Sequence, residues 1–274
     1  MKFDMLFPGG KKKALTLSYD DGVQQDAKLM EILDRHGLKC TFNINTGLLA
    51  PEGTKYPTGQ VHRRMTAREA KELYLNSGHE VAVHTLTHPW LERLPAPVVL
   101  QEVLEDRRRI EAMFGGVVRG MAYPFGTYND QVVEILKAAG FAYARTTIST
   151  NSFAIPEDWL RLPATCHHIS PRLMELADRF ISEQNCGLFY LWGHSYEFEQ
   201  NNDWHVIEEF SAKMGGRPDI WYATNIEVYH YVEAYRNLQT DTECTLAQNL
   251  SSADVWIQVD GDPVQIPAGQ TVKL

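Results

Sequence analysis

Apolar runs of strand length alternate with amphipathic stretches of helix length along most of the chain, and glycines punctuate the alternation. Residues 14–20 read as a strand, 24–36 as a helix closed by Gly37, and 39–45 as a second strand. A long polar loop over 46–65 carries Pro51, Gly53, Pro57 and Gly59. Thr66-Ala67-Arg68-Glu69 has the form of a capping box, so a helix opens there and ends before Gly78. Strands are predicted at 79–84, 117–123 and 141–146, with helices at 97–114 and from Asn129 to Gly140 between them. Ser170-Pro171 starts a further helix, with proline at the first position, where it is tolerated. A strand at 187–193, a helix near 204–214, a strand at 220–223 and a helix opened by the capping box Thr224–Glu227 complete the run.

Helix, glycine, strand recurs at Gly37, Gly78, Gly140 and Gly187. Strands and helices alternating at this spacing pair in parallel through right-handed crossovers. Seven or eight such units suit a closed or nearly closed βα barrel, with an open doubly wound sheet as the alternative. Residues 241–274 change character. Alternating runs at 254–259 and 264–266 flank Gly261-Asp262-Pro263, and Ala268-Gly269 makes another turn. We expect a barrel over residues 1–240 and a short β-rich extension over 241–274 packed on it, too small to bury a core of its own.

Composition is that of a globular enzyme: 44% hydrophobic and 22% charged over 274 residues. The net charge of −9, with no long basic run, argues against nucleic acid and anionic membrane as partners. Cys40, Cys166, Cys186 and Cys244 show no CxxC spacing, so no disulfide framework is expected. Cys40 and Cys186 read as small buried hydrophobes. The start of the chain has no apolar core of signal-peptide length, and no stretch approaches 18 apolar residues. As written, the chain reads as soluble and cytoplasmic; a secreted protein trimmed of its leader would read the same. Asn249-Leu250-Ser251 matches a glycosylation sequon, without other signs of a secreted route. Nothing indicates the oligomeric state.

The chemistry begins where the first strand ends, in Ser18-Tyr19-Asp20-Asp21-Gly22. Two adjacent carboxylates need a positive partner, whether a metal, an arginine or a histidine cluster. In a βα barrel, residues at strand C-termini converge on one face. Those residues here are Asp20-Asp21, Asn43 to Asn45, His84, Tyr123-Pro124-Phe125, Arg145 and His194. His84-Thr85-Leu86-Thr87-His88 spaces two histidines four apart, as on one helical turn, and with one carboxylate they form a facial set that leaves open positions on a metal. His194 follows an apolar strand on the same rim, which favours a titrating role. His167-His168 read as groups behind that rim, since neighbours in a strand do not face one site.

Ser18-Tyr19-Asp20-Asp21, His84 to His88, Ala122-Tyr123-Pro124-Phe125-Gly126 and Leu191-Trp192-Gly193-His194 resemble, in order, four motifs of the polysaccharide deacetylase family, carbohydrate esterase family 4 or the NodB homology domain. The resemblance spans about residues 12–235. It implies a distorted (β/α)7 barrel and a metal-dependent hydrolase that removes acetyl groups from acetylated carbohydrates. It implies Asp21, His84 and His88 as ligands of one divalent metal, zinc first, with cobalt, nickel or iron(II) as alternatives. It further implies Asp20 as general base, His194 as general acid and the backbone N–H of Phe125 as an oxyanion donor.

One position departs from the family pattern. The third motif often opens with an arginine that pairs with the base carboxylate, and here that position is Ala122. Arg145, at the next strand end, is expected to supply the charge, with Arg161 as an alternative and Asp158-Trp159 as a remnant of the family's supporting element. Other readings stay open: hydrolysis of another C–N bond, such as a small cyclic amide, on the same metal site; a non-catalytic carbohydrate-binding relative using Trp192, Trp204 and Tyr196 for stacking; and a facial-triad oxygenase.

Overall fold

The computed structural model describes residues 3–274. A short strand, β1 (Phe3–Leu6), precedes the central sheet. That sheet is built from β2 (Lys13–Asp20), β3 (Cys40–Ile44), β4 (Glu80–Val83), β5 (Gly120–Ala122), β6 (Tyr143–Ser149), β7 (Leu162–Ala164), β8 (Cys166–His167), β9 (Gly187–Gly193) and β10 (Ile220–Tyr222). The helices are α1 (Asp26–Arg35), α2 (Ala67–Tyr74), α3 (Ala96–Phe114), α4 (Asp130–Ala138), α5 (Leu173–Ser182), α6 (Ser195–Gln200), α7 (Trp204–Met214) and α8 (Asn225–Arg236). Both expected capping boxes form, at Thr66–Glu69 on α2 and Thr224–Glu227 on α8.

The strand order is β7-β6-β5-β4-β3-β2-β9-β8, all parallel, with β10 paired to the first half of β2. The two ends of this ladder, β7 and β8, are successive pieces of one extended segment. Its first half pairs with β6, while Thr165 N–H donates to Tyr190 O at 2.9 Å and Cys166–His167 pair with β9. Counted as one interrupted strand, β7 and β8 bring the ring to seven staves, as the resemblance implied. The register shift between β6 and β7 is where the ring is distorted.

The two sides of each stave have different chemistry. Outward residues such as Leu15, Leu17, Phe42, Phe189 and Leu191 pack under the helices in the main core. Inward residues are largely polar. On the floor, Thr16 Oγ1 donates to Asn225 Oδ1 at 2.8 Å and Asn225 Nδ2 to the Tyr190 hydroxyl at 2.7 Å. Glu80 there accepts from the Tyr143 and Thr41 hydroxyls at 2.7 and 2.8 Å and from Ile226 N–H at 2.9 Å. The N-terminus of α8 therefore plugs the barrel floor, and the opposite end, where the strands finish, is left for the site.

The C-terminal strands are β11 (Gln239–Thr240), β12 (Leu246–Gln248), β13 (Val255–Val259), β14 (Asp262–Ile266) and β15 (Thr271–Lys273). They do not form one hairpin alone. β13 pairs with β1 from the chain's start and with β14, while β12 pairs with β11 and β15. Asn249 is buried and its side-chain amide donates to Ala253 O and Ile266 O at 2.8 and 2.9 Å, so the sequon serves the tail's packing and offers no accessible amide. All four cysteines are free; Cys40 is buried as expected, and Cys186 is only half-buried.

Candidate active site

Asp20 is the last residue of β2, and Asp21 lies beyond it with φ 88°, followed by Gly22 at φ 63°. Two successive left-handed residues turn the chain sharply, which the glycine takes at no steric cost. The turn sends the two carboxylates to different surroundings. Asp20 accepts from Asn43 Nδ2 at 2.9 Å and pairs with the buried guanidinium of Arg145. Its Oδ2 also lies 3.9 Å from Nε2 of His84 and 3.9 Å from Nε2 of His194. Burial alone would raise the Asp20 carboxyl, but Arg145 and the two histidines outweigh it and hold it below its ordinary value. Arg145 rests with its guanidinium carbon 4.5 Å from the centre of the Trp192 ring, and both side chains are buried.

Asp21 has partners of its own. One carboxylate oxygen is 3.0 Å from Arg64 Nη2 and the other 3.2 Å from His62 Nε2. Arg64 also donates to Asn45 Oδ1 at 2.8 Å and to the Asp21 carbonyl. Burial opposes ionisation of Asp21; His62 and Arg64 override it and keep the group well below the usual carboxylate range.

His84 follows β4. Its backbone N–H is 3.1 Å from both Ile44 O and a carboxylate oxygen of Asp106, and Asp106 also holds Thr46 N–H at 2.8 Å and Thr46 Oγ1 at 2.6 Å. Its Nδ1 donates to Ala122 O at 2.9 Å, which leaves the Nε2 lone pair free. Burial pulls its pKa down to about 4 and lowers that of His88 too, so both rings are neutral at physiological pH. The ligating atoms of Asp21, His84 and His88 lie within 4.8 Å of one another. Two neutral imidazoles and one ionised carboxylate are a donor set suited to a divalent transition metal.

The histidines meet by a route other than the expected helical turn. Residues 84–88 are not helical: Thr85 has φ 65° and His88 φ 57°, and the His88 N–H is held by Thr85 Oγ1 at 3.1 Å. The loop is folded back by contacts to α3, where Glu102 binds Thr87 N–H at 2.8 Å and its hydroxyl at 2.7 Å. Phe125, the residue after Pro124 at the end of β5, also has a left-handed φ of 57°, and its ring meets His88 edge-on at 4.5 Å. Trp90 stacks flat on Phe125 at 3.9 Å.

His194 follows β9 and opens α6. Its Nδ1 lies 3.3 Å from Oε1 of Glu197. His167 and His168, expected not to face one site, both bring Nε2 to the other Glu197 oxygen, at 3.3 and 3.2 Å, because His168 stands just past the end of β8 and no longer alternates with His167.

Arg145, not Arg161, thus reaches Asp20. Arg161 pairs with Asp158 and Asp130 at 2.7 Å each, and Trp159 donates to Glu233 on α8 at 2.9 Å, so that element braces the outer wall. Trp192 is buried beneath Arg145 and Trp204 packs against Phe198, so neither of these two expected stacking residues presents an open face at the rim. Tyr196 stays near the site, 5.3 Å from His194 and 4.8 Å from His62, ring to ring. The residues that sequence reasoning missed are His62, Arg64 and Glu197. The one available signal for the first two was the demand of paired carboxylates for positive neighbours, beside a His62-Arg63-Arg64 run in the polar loop.

The model of the polysaccharide deacetylase family matches residues 8–144, half of the chain. The chain belongs to the polysaccharide deacetylase family. It is 31% identical over 148 residues to a chitooligosaccharide deacetylase of Sinorhizobium fredii, covering 53% of this chain and 59% of that protein. It is 26% identical over 149 residues to a peptidoglycan-N-acetylglucosamine deacetylase of Listeria monocytogenes, covering 54% and 27%. The chain therefore spans less than two thirds of the length of these relatives. Among solved structures, the Xyl-CE4 domain of a multidomain xylanase from a Trinervitermes trinervoides hindgut metagenome superposes with a TM-score of 0.53 at 15% identity, over 81% of this chain and 92% of that one. This likeness shows the shared fold.

Proposed function

We propose that this polysaccharide deacetylase family member removes acetyl groups from N-acetylated or O-acetylated carbohydrate by metal-dependent hydrolysis. The observation that carries the reading is the convergence of Asp21, His84 and His88 on one point, with Asp20 and His194 beside it. The donor set fits a divalent ion, because His84 presents a free Nε2 lone pair and Asp21 is ionised. Zinc is the first candidate, since nitrogen and oxygen donors in a three-ligand set with open positions suit it. Asp21, His84 and His88 would hold the ion, which would supply Lewis acidity toward an acetyl carbonyl and an attacking water. Asp20, ionised and oriented by Arg145 and Asn43, is the base that takes a proton from the attacking water. The backbone N–H of Phe125, set at the rim by its left-handed turn, donates to the developing oxyanion. His194, whose Nε2 lies 3.9 Å from Asp20 Oδ2, gives its proton to the departing amine or alkoxide. Arg64 and His62 fix the Asp21 carboxylate from behind, as outer partners of a ligand do. The names of the relatives support acetylated glucosamine oligomers or peptidoglycan as the substrate class.

The test is acetate release from acetylated chitooligosaccharides, peptidoglycan fragments, acetylxylan and small cyclic amides, with zinc, cobalt or nickel added. Acetate from a sugar substrate, abolished by a chelator and restored by metal, supports the proposal. Turnover of the cyclic amides alone moves the chain to another C–N hydrolysis, and turnover of nothing overturns the hydrolytic reading.

A further inference from the structure

A second cluster sits behind His194: His167, His168 and Glu197 bring ligand-type atoms within 4.8 Å of one another. Its composition copies that of the candidate metal set, but its hydrogen bonding differs. The Nδ1 of His167 accepts from Ile169 N–H at 3.2 Å, so in the neutral ring the proton is on Nε2, the atom that faces Glu197. His84 has the opposite arrangement, with Nδ1 donating and Nε2 free. His167 therefore offers Glu197 a proton where a metal would need a lone pair.

Resting on the proposed hydrolytic role of His194, we propose that Glu197 is its positioning residue, with the His167–His168 pair holding Glu197 in place. Glu197 Oε1 lies 3.3 Å from His194 Nδ1, a charge contact that favours a proton on that atom, and His194 Nε2 lies 3.9 Å from Asp20 Oδ2. Oε2 lies 3.3 and 3.2 Å from His167 and His168 Nε2, and 3.3 Å from the His194 backbone N–H. The carboxylate thus holds both the ring and the backbone of one residue. His168 is immobile: its ring stacks between Tyr19 at 5.6 Å and Phe198 at 4.1 Å, and a Cβ on Gly193 would come within 2.0 Å of its Nδ1.

The groups facing His194 are Asp20 and Asp21 at the end of β2, Tyr196 and Glu197 on α6, His167 at the end of β8 and His168 just after it. Burial works against the His194 charge, but Glu197 with the Asp20 and Asp21 carboxylates raises its pKa above the ordinary value. Burial pulls His168 down to about 4, which makes it a neutral partner that does not compete for the proton.

The test is Glu197→Gln, which keeps the side chain's length and its capping of α6. The 15N resonances of the His194 imidazole, followed against pH in substrate-free protein, should show its titration midpoint fall by about one unit as the charged partner is lost. In the acetate assay kcat should fall roughly 10- to 100-fold with KM little changed, the usual loss for an outer orienting partner. The alkaline limb should move to lower pH. Glu197→Asp should recover part of each effect and serves as the second variant. An unmoved midpoint overturns the proposal, as does loss of a second equivalent of zinc on Glu197→Gln that His84→Ala retains. Wild-type protein inactive on every substrate would refute the hydrolytic role, and the imidazole titration would still decide the positioning.

Discussion

Asp20 and Asp21 are neighbours in sequence, yet each has its own cation, Arg145 for the first and Arg64 for the second, which His62 also contacts. That separation suits the proposed division of roles, with Asp20 as base and Asp21 as ligand. Arg145 is buried, pairs with Asp20 and lies over the face of Trp192. Arg145→Ala would strand an ionised Asp20 in a dry interior. The Asp20 carboxyl is held down in the wild type, so losing the guanidinium raises its pKa, and the acid limb of kcat/KM should move to higher pH. The same variant should lose about 3–5 kcal/mol of stability, the usual effect of orphaning one member of a buried pair, measurable by urea unfolding. An acid limb that stays in place would remove Arg145 from the site. His84→Ala should abolish zinc binding, read as metal content after dialysis, while circular dichroism stays near that of the wild type. Retained zinc would place the metal elsewhere.

At the scale of elements, regular structure was readable and the turns that carry the chemistry were less so. Helix, glycine, strand at Gly37, Gly78 and Gly140 gave the barrel's order; Gly37 and Gly140 stop their helices at φ of 67° and 78°, which other residues resist, whereas α2 ends at Tyr74 and Gly78 lies in the turn beyond it. Asp20 and His194 were legible because they end strongly apolar strands. His84 and His88 were legible as a pair, although not as a loop: the left-handed residues Thr85 and His88 are imposed by Glu102 and by the end of β4, and no local pattern announces them. Asp21 and Phe125 share that backbone state. Strain of this kind is maintained by surrounding structure and concentrates at functional sites. His62, Arg64 and Glu197 were missed because loops and a six-residue helix lack periodicity. Gly193 makes the element scale testable. A methyl there would overlap His168, which Tyr19 and Phe198 keep from moving. Gly193→Ala should cost about 1–3 kcal/mol by overpacking and lower the calorimetric midpoint by several degrees. An unchanged midpoint would mean that the His168 ring has freedom to shift.

The whole molecule is held from the end opposite the site. The N-terminus of α8 closes the barrel floor through Asn225 and Glu80, and its middle meets the terminal strands, where the Tyr231 hydroxyl accepts from Trp256 N–H at 2.9 Å and donates to Leu6 O. Chain start, chain end and barrel floor therefore share one helix. Glu80 is the ionisable group in that joint, and burial raises its pKa to about 7 although Tyr143, Thr41 and Ile226 N–H all favour its charged form. An acid whose pKa is raised on folding binds its proton more tightly in the native state. Its contribution therefore declines as pH rises from the unfolded value, about 4.5, through about 7, and is constant above. Other groups titrate in the same window with the opposite sign, among them His84 and His168, each pulled down to about 4 by burial. The informative quantity is thus the difference between wild type and Glu80→Gln. Glutamine loses one acceptor oxygen at every pH, so the variant should be the less stable protein at pH 5. Above pH 7 the wild type carries a buried charge that the variant lacks. The gap in thermal midpoint should then shrink by a few degrees or reverse between pH 5 and 8. A gap that is constant over that range would show that Glu80 ionises as easily in the folded barrel as in the unfolded chain.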